Sequence, residues 1–349
     1  MKTSLTPSFD FPMNVPPNVP SWQIPPSQHL SIIHTELKAA QANPPSMRRT
    51  QMVQQRIIQR TKNGEDPHYK SKTIDWPLEL SKFQTTTIQY PDYYRQPFHS
   101  VPNGWLSKLA ATKNRVAMQA IYTEVGKESC LGIRKRLTQF IPLHSKVIVD
   151  FGSGDGDGPA AMGRKYPKAK VLAVECSPYM IIAGRVQNQD IICEGGNVKY
   201  VHALAEHCNL PNDFADAVTI CLLLHECSDA AKSNICQEAW RILKPGGKLI
   251  LTDTPQQDLV EFRGFYEPHK EAWLKFQPKL FLKRHGFINI VEEEIIKGEI
   301  EVEGHGGSDN RLFTFTADKN NSSCRCNATT TESCRCGPTC NCNGMKSNL

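Results

Sequence analysis

The sequence predicts an α/β fold: a doubly wound, seven-stranded sheet, mostly parallel with an antiparallel edge strand. Three observations carry that prediction. From Ser145 onward, short apolar runs alternate with helical stretches, the pattern of a parallel sheet covered by helices on both faces. A glycine-crowded loop closes VIVDFGSGDGDG (147–158) after the first of those runs, where such sheets take their ligands. The last two apolar runs are joined by a Gly-rich turn and suit an antiparallel hairpin at the sheet edge.

In chain order, KVIVDF (146–151) is a β-branched strand and AAMGRKYP (160–167) a helix stopped by proline. AKVLAVEC (169–176) is a second buried strand, PYMIIAGRVQ (178–187) a helix and NVKYVHAL (197–204) a third strand. FADAVTICLLLHE (214–226) reads as strand four, DAAKSNICQEAWRIL (229–243) as a helix and GKLILTDT (247–254) as strand five. A long helical region, KEAWLKFQPKLFLKRHG (270–286), precedes the pair FINIVEEEI (287–295) and RLFTFTA (311–317).

The flanks differ from this body. Nine of the 24 prolines precede residue 46, a density that prevents helices and central strands, so 1–46 is expected to be disordered. Residues 47–144 form a helical and aromatic extension, 145–318 the main domain and 319–349 a Cys-rich tail. The net charge of +6 concentrates between Met47 and Lys72, where Arg48, Arg49, Arg56, Arg60, Lys62, Lys70 and Lys72 face only Glu65 and Asp66. MVQQRIIQR within it suits a basic amphipathic helix, either packed on the domain or touching anionic lipid or nucleic acid. No signal-peptide run and no transmembrane stretch of about 18 apolar residues occurs. A cytoplasmic protein is expected.

The glycine loop excludes the commonest nucleotide reading. A dinucleotide site wants G-x-G-x-x-G, but the third position falls on Asp157 or Pro159 in the two registers. A phosphate-cradling loop would need a lysine that is missing. What remains is Asp150 closing the first strand and Glu175 closing the second, a carboxylate able to accept from ribose hydroxyls. An acid-flanked loop suits a sulfonium and an amino-acid ammonium better than a pyrophosphate.

These residues resemble the class I S-adenosylmethionine-dependent methyltransferases, which have a Rossmann-like sheet. VIVDFGSGDG resembles that family's first motif and VLAVECSP its second. LAEHCNLPNDFADAVTI resembles the adenine-side loop and fourth strand, and AWRILKPGGKLILTD the turn into strand five. YRQPFHSVPNGWL, LLLHE and FYEPH resemble an uncharacterised methyltransferase group of plant and cyanobacterial sequences. The resemblance implies S-adenosyl-L-methionine as cofactor, with Asp150, Gly152, Ser153, Gly154 and Gly156 along its methionine half. It places Glu175 on the ribose, Cys176 beside the adenine, Ala205 and Glu206 at the other edge, and Leu222 facing the methyl group. Leu204 stands where many family members carry an acid, so adenine recognition falls to backbone groups or Glu206.

The acceptor is bounded by what is missing. There is no Pro-Pro-aromatic turn after strand four and no Pro-Cys pair, so amino and C5 methylation of nucleic acid bases are disfavoured. A small-molecule acceptor leads, with RNA or protein behind it, and a non-catalytic, cofactor-binding metal-handling protein as the third reading. His225 and Glu226 stand where the substrate approaches, as catalytic candidates. Tyr94 and His99 join them from the aromatic segment YPDYYRQPFHSVPNGWL (90–106), expected to cover the cofactor pocket.

The tail holds three C-x-C pairs: Cys324 and Cys326, Cys334 and Cys336, Cys340 and Cys342. It resembles a metallothionein segment, and soft thiolates select Zn(II), Cu(I) or similar ions. Such a tail either stores metal independently or delivers a soft ion to the methyl-transfer site.

Overall fold

The computed structural model describes residues 74–83, 88–91, 94, 104–108, 110–111, 134, 137–254, 268–294 and 313–320. The Pro-rich region 1–46, the basic stretch 47–72, His99 and the six tail cysteines lie outside the described residues.

The main domain is the expected doubly wound α/β sheet. Its strands are β1 (Val147–Phe151), β2 (Lys170–Glu175), β3 (Val198–His202), β4 (Ala215–Cys221), β5 (Leu243–Asp253), β6 (Phe287–Glu294) and β7 (Phe313–Lys319). They lie in the order β3-β2-β1-β4-β5-β7-β6. The pairs β1/β2, β1/β4, β2/β3 and β4/β5 are parallel. The terminal hairpin lies at the edge as expected, with β7 running antiparallel between β5 and β6.

The helices are α1 (Trp76–Ser81), α2 (Asp157–Lys165), α3 (Pro178–Gln187), α4 (Asp229–Ile242), α5 (Lys270–Leu274) and α6 (Pro278–Arg284). Each layer follows from strand alternation. Ile148, Val171, Ala217 and Ile250 point to one face and bury Met162 of α2. Their neighbours Val149, Phe151, Leu172, Val218, Leu249 and Leu251 point to the other and bury Ile235, Cys236, Ala239 and Ile242 of α4. Fully burying such side chains contributes about 1.5–3 kcal/mol each, so both helix layers are fixed by the central strands.

Three local departures have physical causes. The long helical region is split at Pro278, which cannot donate to the preceding turn and starts α6 instead. Strand four stops at Cys221; Leu222 turns left-handed (φ 54°) and Leu224–Glu226 form a 3₁₀ turn. The LKPGG turn lies inside β5, where the pairing with β4 jumps from Ala215↔Leu243 to Ala217↔Lys248. α3, by contrast, starts where Ser177 caps it, its hydroxyl accepting from Met180 N, with Pro178 at the first position.

The sheet order reverses between β1 and β4, since β2 and β3 go one way and β5 the other. That opens a crevice at the carboxyl ends of these two strands.

Candidate active site

The crevice begins with the loop after β1. Gly152 and Ser153 donate backbone N–H bonds to Val174 O at 3.0 and 3.1 Å, and the Ser153 hydroxyl donates to Asp150 O at 2.9 Å. Gly154 N then donates to Glu175 Oε2 at 2.8 Å, while Ser177 N donates to Glu175 Oε1 at 2.8 Å. One carboxylate thus ties the glycine loop to the amino end of α3. Burial raises this carboxyl above its ordinary range, and the two backbone donors work against that shift.

Below the loop, Tyr200 Oη donates to Gly154 O at 3.0 Å and Asn188 Nδ2 to Asp155 O at 3.2 Å. Above Gly154 (φ 54°) there is open space: a Cβ there would meet nothing within 4 Å. Gly156 (φ 80°) is the opposite case, since a Cβ would sit 2.5 Å from Tyr200 Oη. Gly152 packs against the other wall, where a Cβ would come within 2.9 Å of the Leu223 methyls. The loop and the segment after β4 are therefore in contact.

Asp150 is buried and points to the α2 side. Thr219 Oγ1 donates to its Oδ1 at 2.5 Å. Burial pushes its carboxyl up to about 6, against the opposing pulls of Thr219, the Arg134 guanidinium and Ser153.

The remaining predicted cofactor residues are placed as follows. Cys176 is buried; burial first, and the adjoining Glu175 carboxylate second, hold its thiol well above the ordinary range. Ala205 and Glu206 lie in the tight turn closed by the Leu204–His207 bridge. Neither Glu206 carboxylate oxygen has a hydrogen-bond partner among the described residues, and burial pushes its carboxyl up to about 7. Leu222 packs beside Cys221 against the cluster that includes Ile148 and Ile250, so Leu223, not Leu222, covers Gly152.

Three described residues of the aromatic segment, Tyr90, Tyr94 and Trp105, contact this region. Tyr90 Oη donates to Cys176 O at 2.7 Å, and Tyr94 is half-buried with its hydroxyl hydrogen-bonded to the Cys176 side chain. Burial, then Cys176, raise the Tyr94 hydroxyl well above its ordinary range, which keeps its proton in place. Trp105 bridges two walls: its carbonyl accepts from Ser177 Oγ at 2.7 Å and its Nε1 donates to Glu226 Oε2 at 2.5 Å.

His225 and Glu226 lie in the 3₁₀ turn after β4. His225 Nδ1 is 2.6 Å from Asp253 Oδ1, and its Nε2 is 3.6 Å from Glu226 Oε1. The ring centre lies 6.1 Å from that of Trp273, with the two planes at 64°. Asp253, at the end of β5, did not stand out in the sequence; its 28-residue separation from His225 leaves no local pattern. The second residue that the sequence left unmarked is Ser177, legible only as a helix cap.

Cys221 and Cys227 are buried. Burial pushes the Cys221 thiol up to about 12 and that of Cys227 well above the ordinary range. These are packed thiols, poor metal ligands. Among the described residues no group of three or more His, Cys, Asp or Glu could hold a metal ion, and no helix is long and apolar enough to cross a membrane.

An S-adenosyl donor fits what is present: an open cradle over Gly154, a buried acid at the end of β2, and at Glu206 a carboxylate with no other residue bonded to it among the described residues.

Among solved structures, the chain is similar to human N-acetylserotonin methyltransferase in complex with S-adenosylmethionine. The identity is 17% and the TM-score 0.44, covering 70% of this chain and 66% of that one. It is also similar to Haemonchus contortus phosphoethanolamine N-methyltransferase 2, at 16% identity and TM-score 0.43, covering 63% and 60%. A curated relative is the ubiquinone/menaquinone biosynthesis C-methyltransferase UbiE of Pectobacterium atrosepticum. It is 27% identical over 143 residues, 40% of this chain and 51% of that protein. The Vibrio vulnificus protein of the same name is 34% identical over 109 residues, 30% and 40% of the two chains. This chain thus spans about half the length of the curated relatives it matches, or less. Residues 148–247, from the first strand to the turn inside the fifth, match the family described as a methyltransferase domain.

Proposed function

We propose that this chain is an S-adenosylmethionine-dependent methyltransferase acting on a small molecule. The observation that carries the reading is the tie between Gly154 N and Glu175 Oε2, which holds an open glycine cradle against a ribose-type acid within the matched segment. Asp150, Gly152, Ser153, Gly154 and Gly156 would hold the methionine half. Glu175 would hold the ribose, Cys176, Ala205 and Glu206 the adenine, and Leu222 would stand near the methyl group. The bound sulfonium supplies an already activated methyl group. The protein then aligns the acceptor and excludes water, work for which Tyr94, Trp105 and the buried His225 are suited. The curated relatives are named for ubiquinone and menaquinone biosynthesis, which supports a small-molecule acceptor over RNA or protein.

Calorimetry with the cofactor and its demethylated product tests the binding. Loss of a charged acceptor costs about 1.5–3 kcal/mol per hydrogen bond, so Glu175→Ala is expected to weaken affinity at least 10-fold, as estimated from that range. Unchanged affinity would show the site to be misplaced. Methyl-labelled cofactor, offered with metabolite, RNA and protein fractions of a cell extract, tests the acceptor; label confined to RNA would overturn the small-molecule reading.

The tail supports a second, separate role. Its three C-x-C pairs offer six soft thiolates within 19 positions, suited to Zn(II) or Cu(I). Metal content of the purified protein should fall when the chain is cut after Lys319. Methylation that survives the cut leaves the tail as an independent metal store, whereas its collapse indicates delivery to the active site.

A further inference from the structure

The cations of α4 are each paired with an acid, Lys232 with Asp229 and Arg241 with Glu238, and Lys319 at the end of β7 is paired with Asp213. On α5 and α6 that pattern stops. Lys270, Lys275, Lys279, Lys283 and Arg284 stand in 15 positions against a single acid, Glu271, and none of the five forms an ion pair among the described residues. Within α6 the inward side is apolar: Leu282 is fully buried, and the Phe281 ring meets that of Phe276 at 4.9 Å. Lys279, Leu280, Lys283 and Arg284 are exposed. Residues four apart are neighbours on a helix, so Lys279 and Lys283 form one row and Leu280 and Arg284 the row beside it. Leu280, 40% exposed, therefore sits among three cations. The part of α4 joined to this helix by the Ser233–His285 contact adds only the neutral Asn234 and Gln237 to the surface. Its exposed Asp229 is held by Lys232, and Glu292, exposed on β6, pairs with none of the five among the described residues.

We propose that this face of α6, with Lys275 leading into it, docks on an anionic lipid surface. Long basic side chains lay their stems along an apolar boundary and keep their charged heads at the level of the lipid phosphates. A leucine between them enters the acyl boundary, and this pairing of a cationic rim with an apolar contact is what holds a helix flat at an interface. Leu280 is what selects the partner. An RNA backbone answers the charges but leaves the leucine in water, whereas a lipid surface takes both. Attraction of Lys and Arg to such a surface decays within a Debye length, so the docking is salt-sensitive and reversible. It does not depend on the chemistry of the crevice.

Cosedimentation of the full chain with phosphatidylcholine vesicles, with and without about one-third phosphatidylserine, tests this. The chain should bind the anionic vesicles, leave the neutral ones in solution and come off as salt rises from about 0.1 to 0.5 M. Replacing two charges, Lys279→Gln with Lys283→Gln, should weaken vesicle binding about 20–30-fold, at roughly 5-fold for each. Leu280→Asn keeps every charge and should still weaken it about 3–10-fold, while leaving any binding to polyuridine unchanged. All three side chains are exposed, so the unfolding midpoint should hold in both variants and separates lost docking from lost fold. The proposal is overturned if the wild type ignores anionic vesicles, if either variant binds them as the wild type does, or if polyuridine or polyglutamate binds as tightly as the vesicles. Binding abolished by Arg56→Gln with Arg60→Gln, and untouched by the α6 substitutions, would place the contact in the basic stretch before the domain and overturn it as well.

Discussion

The indole Nε1 of Trp105 donates to Glu226 Oε2 at 2.5 Å, joining residues 121 positions apart and tying the segment before β1 to the turn after β4. Because the Trp105 backbone separately accepts from Ser177, Trp105→Phe removes the Glu226 tether alone. The half-buried carboxylate then loses a donor, which costs about 1–3 kcal/mol. A double-mutant cycle with Glu226→Gln, read by denaturant unfolding, should return a coupling of about 0.5–3 kcal/mol. Additive effects would mean that the contact carries no energy.

Two glycines of one loop should fail in different ways. Gly154→Ala meets no atoms and is strained only by its left-handed backbone, which costs about 1–2 kcal/mol. The protein should fold and bind cofactor poorly. Gly156→Ala drives a Cβ to 2.5 Å from Tyr200 Oη and 2.8 Å from Ile192 Cδ1, so it should lose stability first. Paired unfolding and calorimetry curves separate the two; equal affinity for Gly154→Ala and wild type would exclude the cradle as the cofactor's bed.

Glu206 should make stability depend on pH. Its folded-state carboxyl is raised from 4.5 to about 7 by burial. A raised acid contributes stability that is full below the unfolded value and is lost as pH rises through the folded one. The span is worth up to about 3 kcal/mol. Glu206→Gln is therefore expected to be more stable than wild type at pH 8.5 and nearly equal at pH 4.5. A constant difference across that range would show that the carboxyl does not titrate as described.

Lys319 should matter far more than the residues after it. Its buried Nζ donates to Asp213 Oδ1 and Leu243 O, both at 2.6 Å, and lies 4.1 Å from the Trp240 ring centre. Removing it orphans a buried carbonyl and costs about 2–4 kcal/mol. Cutting the chain after Asn320 should leave the unfolding midpoint nearly unchanged, whereas Lys319→Ala should lower it clearly.

What the sequence disclosed follows from range. β1, β2, β4 and β5 are buried on both faces and so read as continuous apolar runs, and α3 was legible as the helical stretch PYMIIAGRVQ. The loop 152–156 and Glu175 were legible because they sit at strand ends. The partnership of His225 with Asp253 was not, nor that of Trp105 with Glu226, because each depends on which strand or segment lands beside which. The left-handed Leu222 also escaped: nothing in LLLHE says that the strand stops after Cys221.

The place of β7 between β5 and β6 has a consequence for assembly. Among the described residues, β6 pairs with β7 and with no other strand. During synthesis the segment Phe287–Glu294 therefore has no partner until Phe313–Lys319 has emerged, and β5 stays an exposed edge for the same interval. An open edge of this kind invites pairing with another chain. The acidic run Glu292, Glu293 and Glu294 at the end of β6 puts three like charges on the waiting strand, so two nascent copies repel each other until the chain supplies its own last strand.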